Sequence, residues 1–89
     1  MDLCKKFEEM AETVRNLKTR PTDDEMLDIY GLYKQAMVGD VTSDKPTFFD
    51  FKGKSKWEAW KKCKGISKES AMNQYIAKGE QLIEKYGKA

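Results

Sequence analysis

Apolar positions recur along this chain at steps of three and four residues, the period of α-helices that turn one face inward. In the first segment Leu3, Phe7, Met10, Val14 and Leu17 keep that rhythm. Ala11 widens the stripe, and Glu8, Glu9, Glu12, Arg15 and Lys18 fill the remaining positions. Thr19 to Thr22 (T-R-P-T) closes the segment, because Pro21 cannot continue a helix. The second segment opens with Thr22 and Glu25 at capping-box spacing and carries Met26, Leu27, Ile29, Tyr30, Leu32, Tyr33, Ala36 and Met37. Gly39 stands where a C′ residue belongs. That apolar band is too broad for a single packing partner. A third helix covers roughly residues 54–64, where Trp57, Trp60 and Cys63 form a core-docking stripe. Ser67 caps the fourth helix. There Ala71, Met72, Tyr75, Ile76, Gly79, Leu82, Ile83 and Tyr86 make the clearest stripe in the chain, ended by Gly87.

Between the second and third helices, Asp40 to Gly53 shows no helical period and reads as one long loop. It contains Phe48, Phe49 and Phe51, which water would not tolerate readily, so the loop is expected to be packed and at least Phe51 to be buried. No strand signal, internal repeat or linker interrupts the pattern. The expected fold is an all-α four-helix bundle, a single domain spanning residues 1–89.

Charge and composition narrow the function. With 17 basic and 15 acidic residues the surface is mixed, without the basic excess or stripe of a nucleic-acid binder. The chain has no histidine, hence neither the commonest general base nor the commonest transition-metal ligand. Cys4 and Cys63 have no metal-motif spacing and are expected to be reduced, partly buried thiols. No nucleophile–base pair accompanies Cys63 or Ser67, so neither an enzyme, a catalytic residue nor a metal site is expected. The N-terminus, M-D-L-C-K-K-F-E-E, is charged from its second residue. The longest uncharged run, Ser70 to Ala77, is far short of the ~18 residues of a membrane span. A cytoplasmic monomer without stable membrane insertion is expected.

The stretch with the most distinctive chemistry is Tyr30 to Gly39. On a helix Tyr30, Tyr33 and Lys34 share a face. Two phenols and one ammonium on that face suit a ligand with a flat ring and a phosphate. They equally suit core tyrosines beside a solvated lysine, which spacing alone favours. Arg15, at the margin of the first apolar stripe, has a solvated cation as its default reading.

These fragments occur in a familiar order. Y-G-L-Y-K-Q-A-M-V-G-D at Tyr30 to Asp40, then Pro46, then D-F-K-G-K-S-K-W-E-A-W at Asp50 to Trp60, resemble the acyl-CoA-binding protein family. So do L-K-T-R-P before the second helix and K-G-I-S-K-E-S-A-M, Y-I-A-K and K-Y-G around the fourth, so that the match is collinear from Phe7 to Gly87. The resemblance implies an up-down-down-up bundle that binds medium- and long-chain acyl-CoA thioesters with high affinity as an intracellular carrier and pool former, without a cofactor. By the family's motifs, Tyr30 and Lys34 would hold the ribose 3′-phosphate and Tyr33 would lie against the nucleotide. Lys56 and Tyr75 would serve the same nucleotide. Arg15 matches a basic ligand contact that is usually lysine, and Met26 and Leu27 match positions lining the acyl groove. Acyl-CoA-using enzymes would be the partners. T-F-F-D-F at Thr47 to Phe51, Met37 and both cysteines depart from the family pattern. A second implication of the resemblance is a neuroactive-peptide precursor, with residues 35–52 as the released segment.

Overall fold

Four polar side chains start four helices. In the computed structural model, which describes every residue except Met1, Ser43 and residues 47–49, these are α1 (Leu3–Arg15), α2 (Asp23–Met37), α3 (Phe51–Lys61) and α4 (Lys68–Tyr86). Asp2 accepts from the Cys4 N–H, Asp50 from the Gly53 N–H and Ser67 from the Ser70 N–H. At α2 the capping box is complete. Thr22 Oγ1 accepts from Glu25 N–H at 3.2 Å, and Glu25 Oε1 accepts from Thr22 N–H at 2.9 Å. Such caps are each worth about 1 kcal/mol, because they satisfy amide donors that the helix itself leaves open.

Three helix boundaries differ from the periodic pattern, the simplest being the end of α3, at Lys61 and not near residue 64. α1 stops at Arg15 instead of running on toward Pro21. The Asn16 side chain donates to the Glu12 carbonyl at 3.0 Å, and the next residues are drawn to the far end of the chain. Leu17 and Lys88 form an isolated antiparallel bridge, with Lys18 N–H donating to Gly87 O and Ala89 N–H to Asn16 O. α3 begins earlier than expected, at Phe51, because Asp50 supplies its cap. Phe51 is consequently not buried but 69% exposed. Nine residues separate it from Trp60, the buried side chain of α3, which at 100° per residue sets the two on opposite faces. Phe48 and Phe49 lie outside the described residues. Cys4 is also exposed, one turn ahead of Phe7, the first buried side chain of α1, whereas Cys63 is buried.

Side-chain contacts fix the helix directions. Phe7 meets Tyr75, and Met10 meets Gly79, so α1 and α4 run parallel. Tyr33 meets Tyr75, while Glu25 meets Tyr86, so α2 opposes α4. Tyr30 meets Lys56 and Lys34 meets Trp60, so α3 runs with α2. This is the up-down-down-up bundle. α4 packs on both α1 and α2, and α2 also packs on α3. The core contains Phe7, Ala11, Val14, Ile29, Ala36, Ala71, Tyr75 and Leu82. Gly31 lets α2 and α3 touch backbone to backbone, since a Cβ there would stand 2.4 Å from the Ala59 carbonyl oxygen.

Polar ties hold both ends of α2. At its C-terminal end the buried Gln35 donates from Nε2 to Asp40 Oδ1 (2.8 Å) and to the Ile66 carbonyl (2.7 Å). The Gly65 N–H also donates to Asp40, at 2.9 Å, and the Trp60 indole donates to Gly39 O at 2.8 Å. The Gly65 and Gln35 donors hold the Asp40 carboxyl below the usual carboxylate range. At the other end, Tyr86 and Lys85 of α4 both donate to Glu25.

Candidate functional site

The parallel register of α2 and α3 lays two short side-chain rows beside each other. From α2 come Asp23, Met26, Leu27 and Tyr30, spaced at steps of three, one and three so that they share a face. From α3 come Lys52, Ser55 and Lys56. With Arg20 these residues line an open cavity of about 610 Å³. Met26 and Leu27 provide apolar surface, while Tyr30, Lys52 and Lys56 bring a phenol and two ammonium groups to the same opening. Arg20 pairs with Asp23 at 3.2 Å, one cation neutralised by one acid of the lining.

Both lysines singled out by the sequence rest on aromatic faces. Lys56 Nζ lies 5.4 Å from the Tyr30 ring centroid, and Lys34 Nζ lies 4.9 Å from that of Trp60. A cation over a ring gains ~0.5–1 kcal/mol where the pair is exposed and more where it is desolvated, as over the buried Trp60. An ammonium has three N–H donors, so a ring beneath it leaves donors available for an anion above.

Tyr33, Tyr75 and Arg15 gather on the neighbouring side. The Phe7 ring stacks on Tyr33 at 5.5 Å and meets Tyr75 edge-on at 5.0 Å, and the two tyrosine rings are 6.1 Å apart. Tyr75 is 3% exposed. Burial pushes its phenol pKa up to about 12, against the pull of the Arg15 guanidinium. Arg15 itself is exposed and bonded to Glu12 at 3.0 Å. That bond holds its guanidinium more firmly protonated, with the Tyr33 and Tyr75 phenols adding to the effect.

The residues marked in the sequence therefore fall into three adjoining groups. Met26, Leu27, Tyr30 and Lys56 surround the cavity, and Lys34 lies one turn farther along α2, over Trp60. Tyr33 and Tyr75 join the aromatic core with Arg15 near them. Arg20, Asp23, Lys52 and Ser55 line the cavity without standing out in the sequence. Their signal is present in the spacing: Asp23 precedes Met26 and Leu27 by three and four positions, and Lys52 stands in the same relation to Ser55 and Lys56. Among the described residues, no group of three or more His, Cys, Asp or Glu side chains could hold a metal ion. Among the same residues, no helix is long and apolar enough to cross a membrane.

A family model described as "Acyl CoA binding protein" matches residues 4–79. The crystal structure of rice (Oryza sativa) Acyl-CoA-Binding Protein 2 superposes with a TM-score of 0.91 at 46% identity, covering 94% of this chain and 93% of that one. The solution structure of the yeast Acyl Coenzyme A Binding Protein gives a TM-score of 0.74 at 52% identity over 91% of this chain and 94% of that one. For the crystal structure of ACBP from Moniliophthora perniciosa the values are 0.87 and 40%, over 96% of this chain and 83% of that one.

Proposed function

This chain belongs to the acyl-CoA-binding protein family, and from that membership we propose that it binds medium- and long-chain acyl-CoA thioesters tightly, as a single domain over residues 1–89. The nucleotide end would meet Tyr30, Lys34 and Lys56, with Tyr33, Tyr75 and Arg15 completing its surroundings. The acyl chain would lie along Met26 and Leu27. The observation that carries this reading is the pairing of an apolar wall with a cationic, phenol-bearing rim in one cavity between α2 and α3.

Energetics assign the two ends different roles. Each charge-assisted hydrogen bond from lysine to phosphate contributes ~1.5–3 kcal/mol. Each buried methylene contributes up to ~0.8 kcal/mol, so a long tail supplies the larger gross term. Much of that term is offset by the entropy of association and ordering. The tail sets the strength while the phosphate contacts set the identity of the ligand.

The work done is sequestration. A cytoplasmic monomer would shield tail and thioester and deliver the ester to acyl-CoA-using enzymes; no bond is broken by the protein. Calorimetric titration with palmitoyl-CoA, free CoA and palmitate tests this directly. Palmitoyl-CoA is expected to bind far more tightly than either fragment. Equal binding of palmitate and palmitoyl-CoA would refute a nucleotide site.

A further inference from the structure

Arg20, Lys45, Lys78 and Lys85 each rest against a carboxylate, those of Asp23, Glu58, Asp28 and Glu25. Lys34 takes part in none of the ion pairs among the described residues, and its ammonium lies 4.9 Å from the centroid of the Trp60 ring. For a phosphate site the difference is large. A carboxylate holds an ammonium in place but cancels its charge and occupies its donors. A ring face holds it through the quadrupole and carries no net charge. Lys34 therefore keeps its full charge while its flexible four-carbon stem is restrained.

Trp60 is itself fixed. It is 7% exposed, and its indole N–H donates to the Gly39 carbonyl at 2.8 Å. Gly39 is tied to the end of α2 that carries Lys34. Its N–H donates to the Gln35 carbonyl at 3.0 Å, and its φ of 97°, open to glycine, turns the chain beyond the helix. The next residue, Asp40, is held by Gln35 and Gly65. One side chain of α3 thus clasps the end of α2 through its nitrogen and seats the lysine of the last α2 turn on its face.

We propose that Trp60 is a positioning residue for the phosphate end of the ligand, setting the Lys34 ammonium in place before the ligand arrives. This rests on the acyl-CoA reading above and adds to it a buried residue outside the lining of the cavity. A lysine left to wander must be ordered as the phosphate binds, and that ordering subtracts from affinity. Tyr30 seats Lys56 in the same manner but lines the cavity itself, so its removal would not separate seating from contact. Trp60 acts through Lys34 alone.

Two measurements test the seat. An indole shifts protons held over its face upfield, so in the free, unaltered protein the Lys34 ε-methylene is expected upfield of lysines with no ring beneath them. A Lys34 methylene at the unrestrained position would overturn the proposal without any ligand being present. The second measurement is a double-mutant cycle read as palmitoyl-CoA affinity by calorimetry. Trp60→Leu is expected to weaken binding about fivefold in the native background and less than about twofold in the Lys34→Ala background, where no ammonium is left to seat. Trp60→Phe keeps a ring but no N–H and is expected to lose about twofold in the native background only, which completes the cycle where Trp60→Leu does not fold. A purely structural role would cost the same factor in both backgrounds, and that result would overturn the proposal. Unchanged affinity in Lys34→Ala alone would overturn it as well, by removing Lys34 from the site. Failure of the unaltered protein to bind palmitoyl-CoA would overturn the acyl-CoA reading itself, and the role of Trp60 with it.

Discussion

Lys56 of α3 places its ammonium over the Tyr30 ring of α2, 5.4 Å from the centroid, at the opening of the cavity whose wall carries Met26 and Leu27. The contact crosses the seam between two parallel helices, so a ligand held by both residues is held by both helices. Lys34 and Trp60 repeat the arrangement one turn on, at 4.9 Å.

Removing either ammonium is expected to weaken binding without unfolding the bundle. Lys34→Ala and Lys56→Ala should each lower palmitoyl-CoA affinity by about tenfold or more, the scale of one missing charge-assisted hydrogen bond. The cation–π attraction that Lys56→Ala forgoes in the free protein is smaller, ~0.5–1 kcal/mol. Isothermal calorimetry on the folded variants provides the check, and wild-type affinity in Lys34→Ala would remove that residue from the site.

The two buried helical glycines should respond differently to alanine. At Gly31 the new Cβ meets backbone, Ala59 O at 2.4 Å and Ala59 C at 2.8 Å, so α2 and α3 must separate. A cost of about 1–3 kcal/mol is expected, as for other overpacked interfaces. At Gly79 the nearest atoms are Met10 Sδ (2.4 Å) and Cγ (2.6 Å), in a flexible side chain, and then Val14 Cγ2 at 3.3 Å. Repacking of Met10, together with the better helix propensity of alanine by up to ~1 kcal/mol, should leave Gly79→Ala the milder of the two. Urea midpoints at equal m-value measure the difference. The opposite order would contradict the assigned contact between α2 and α3.

Acid should loosen the junction between α2 and α4. The Tyr86 hydroxyl, the Thr22 N–H, Lys85 and the Thr22 hydroxyl together hold Glu25 down at about 2, with Tyr86 the strongest influence. A carboxyl depressed in the folded state stabilises the fold above its unfolded pKa, about 4.3, and that contribution disappears as pH falls toward the folded value. Glu25→Gln should therefore be less stable than the parent at neutral pH, with the gap closing between about pH 4.3 and about 2. Urea midpoints across that range test the sign. A gap that stays constant would show that the charge of Glu25 plays no part.

Local rules made much of the fold legible in the sequence. Thr22 and Glu25 form the capping box their spacing predicts, Ser67 caps α4, and Gly39 and Gly87 take positive φ angles of 97° and 79° beyond the ends of α2 and α4. These features depend on residues within a turn of one another. Sequence and structure part where a distant partner decides. The early end of α1 reflects pairing of Leu17 with Lys88, at the opposite end of the chain, which no local period encodes. Phe51 resembles an anchor because it is apolar, yet the Asp50 cap starts α3 beneath it and turns it away from the Trp60 side. At the site, spacing gathers Tyr30, Tyr33 and Lys34 on one face of α2. It leaves unspecified that Tyr33 meets Phe7 and Tyr75 while Lys34 meets Trp60, because those neighbours belong to other helices.

A crystal structure of the protein with palmitoyl-CoA bound decides where the two ends of the ligand sit. The nucleotide phosphate is expected within hydrogen-bond reach of Lys34 or Lys56, adenosine against the tyrosines of α2, and the first part of the tail along Met26 and Leu27. A nucleotide bound away from Tyr30, Lys34 and Lys56 would contradict that placement.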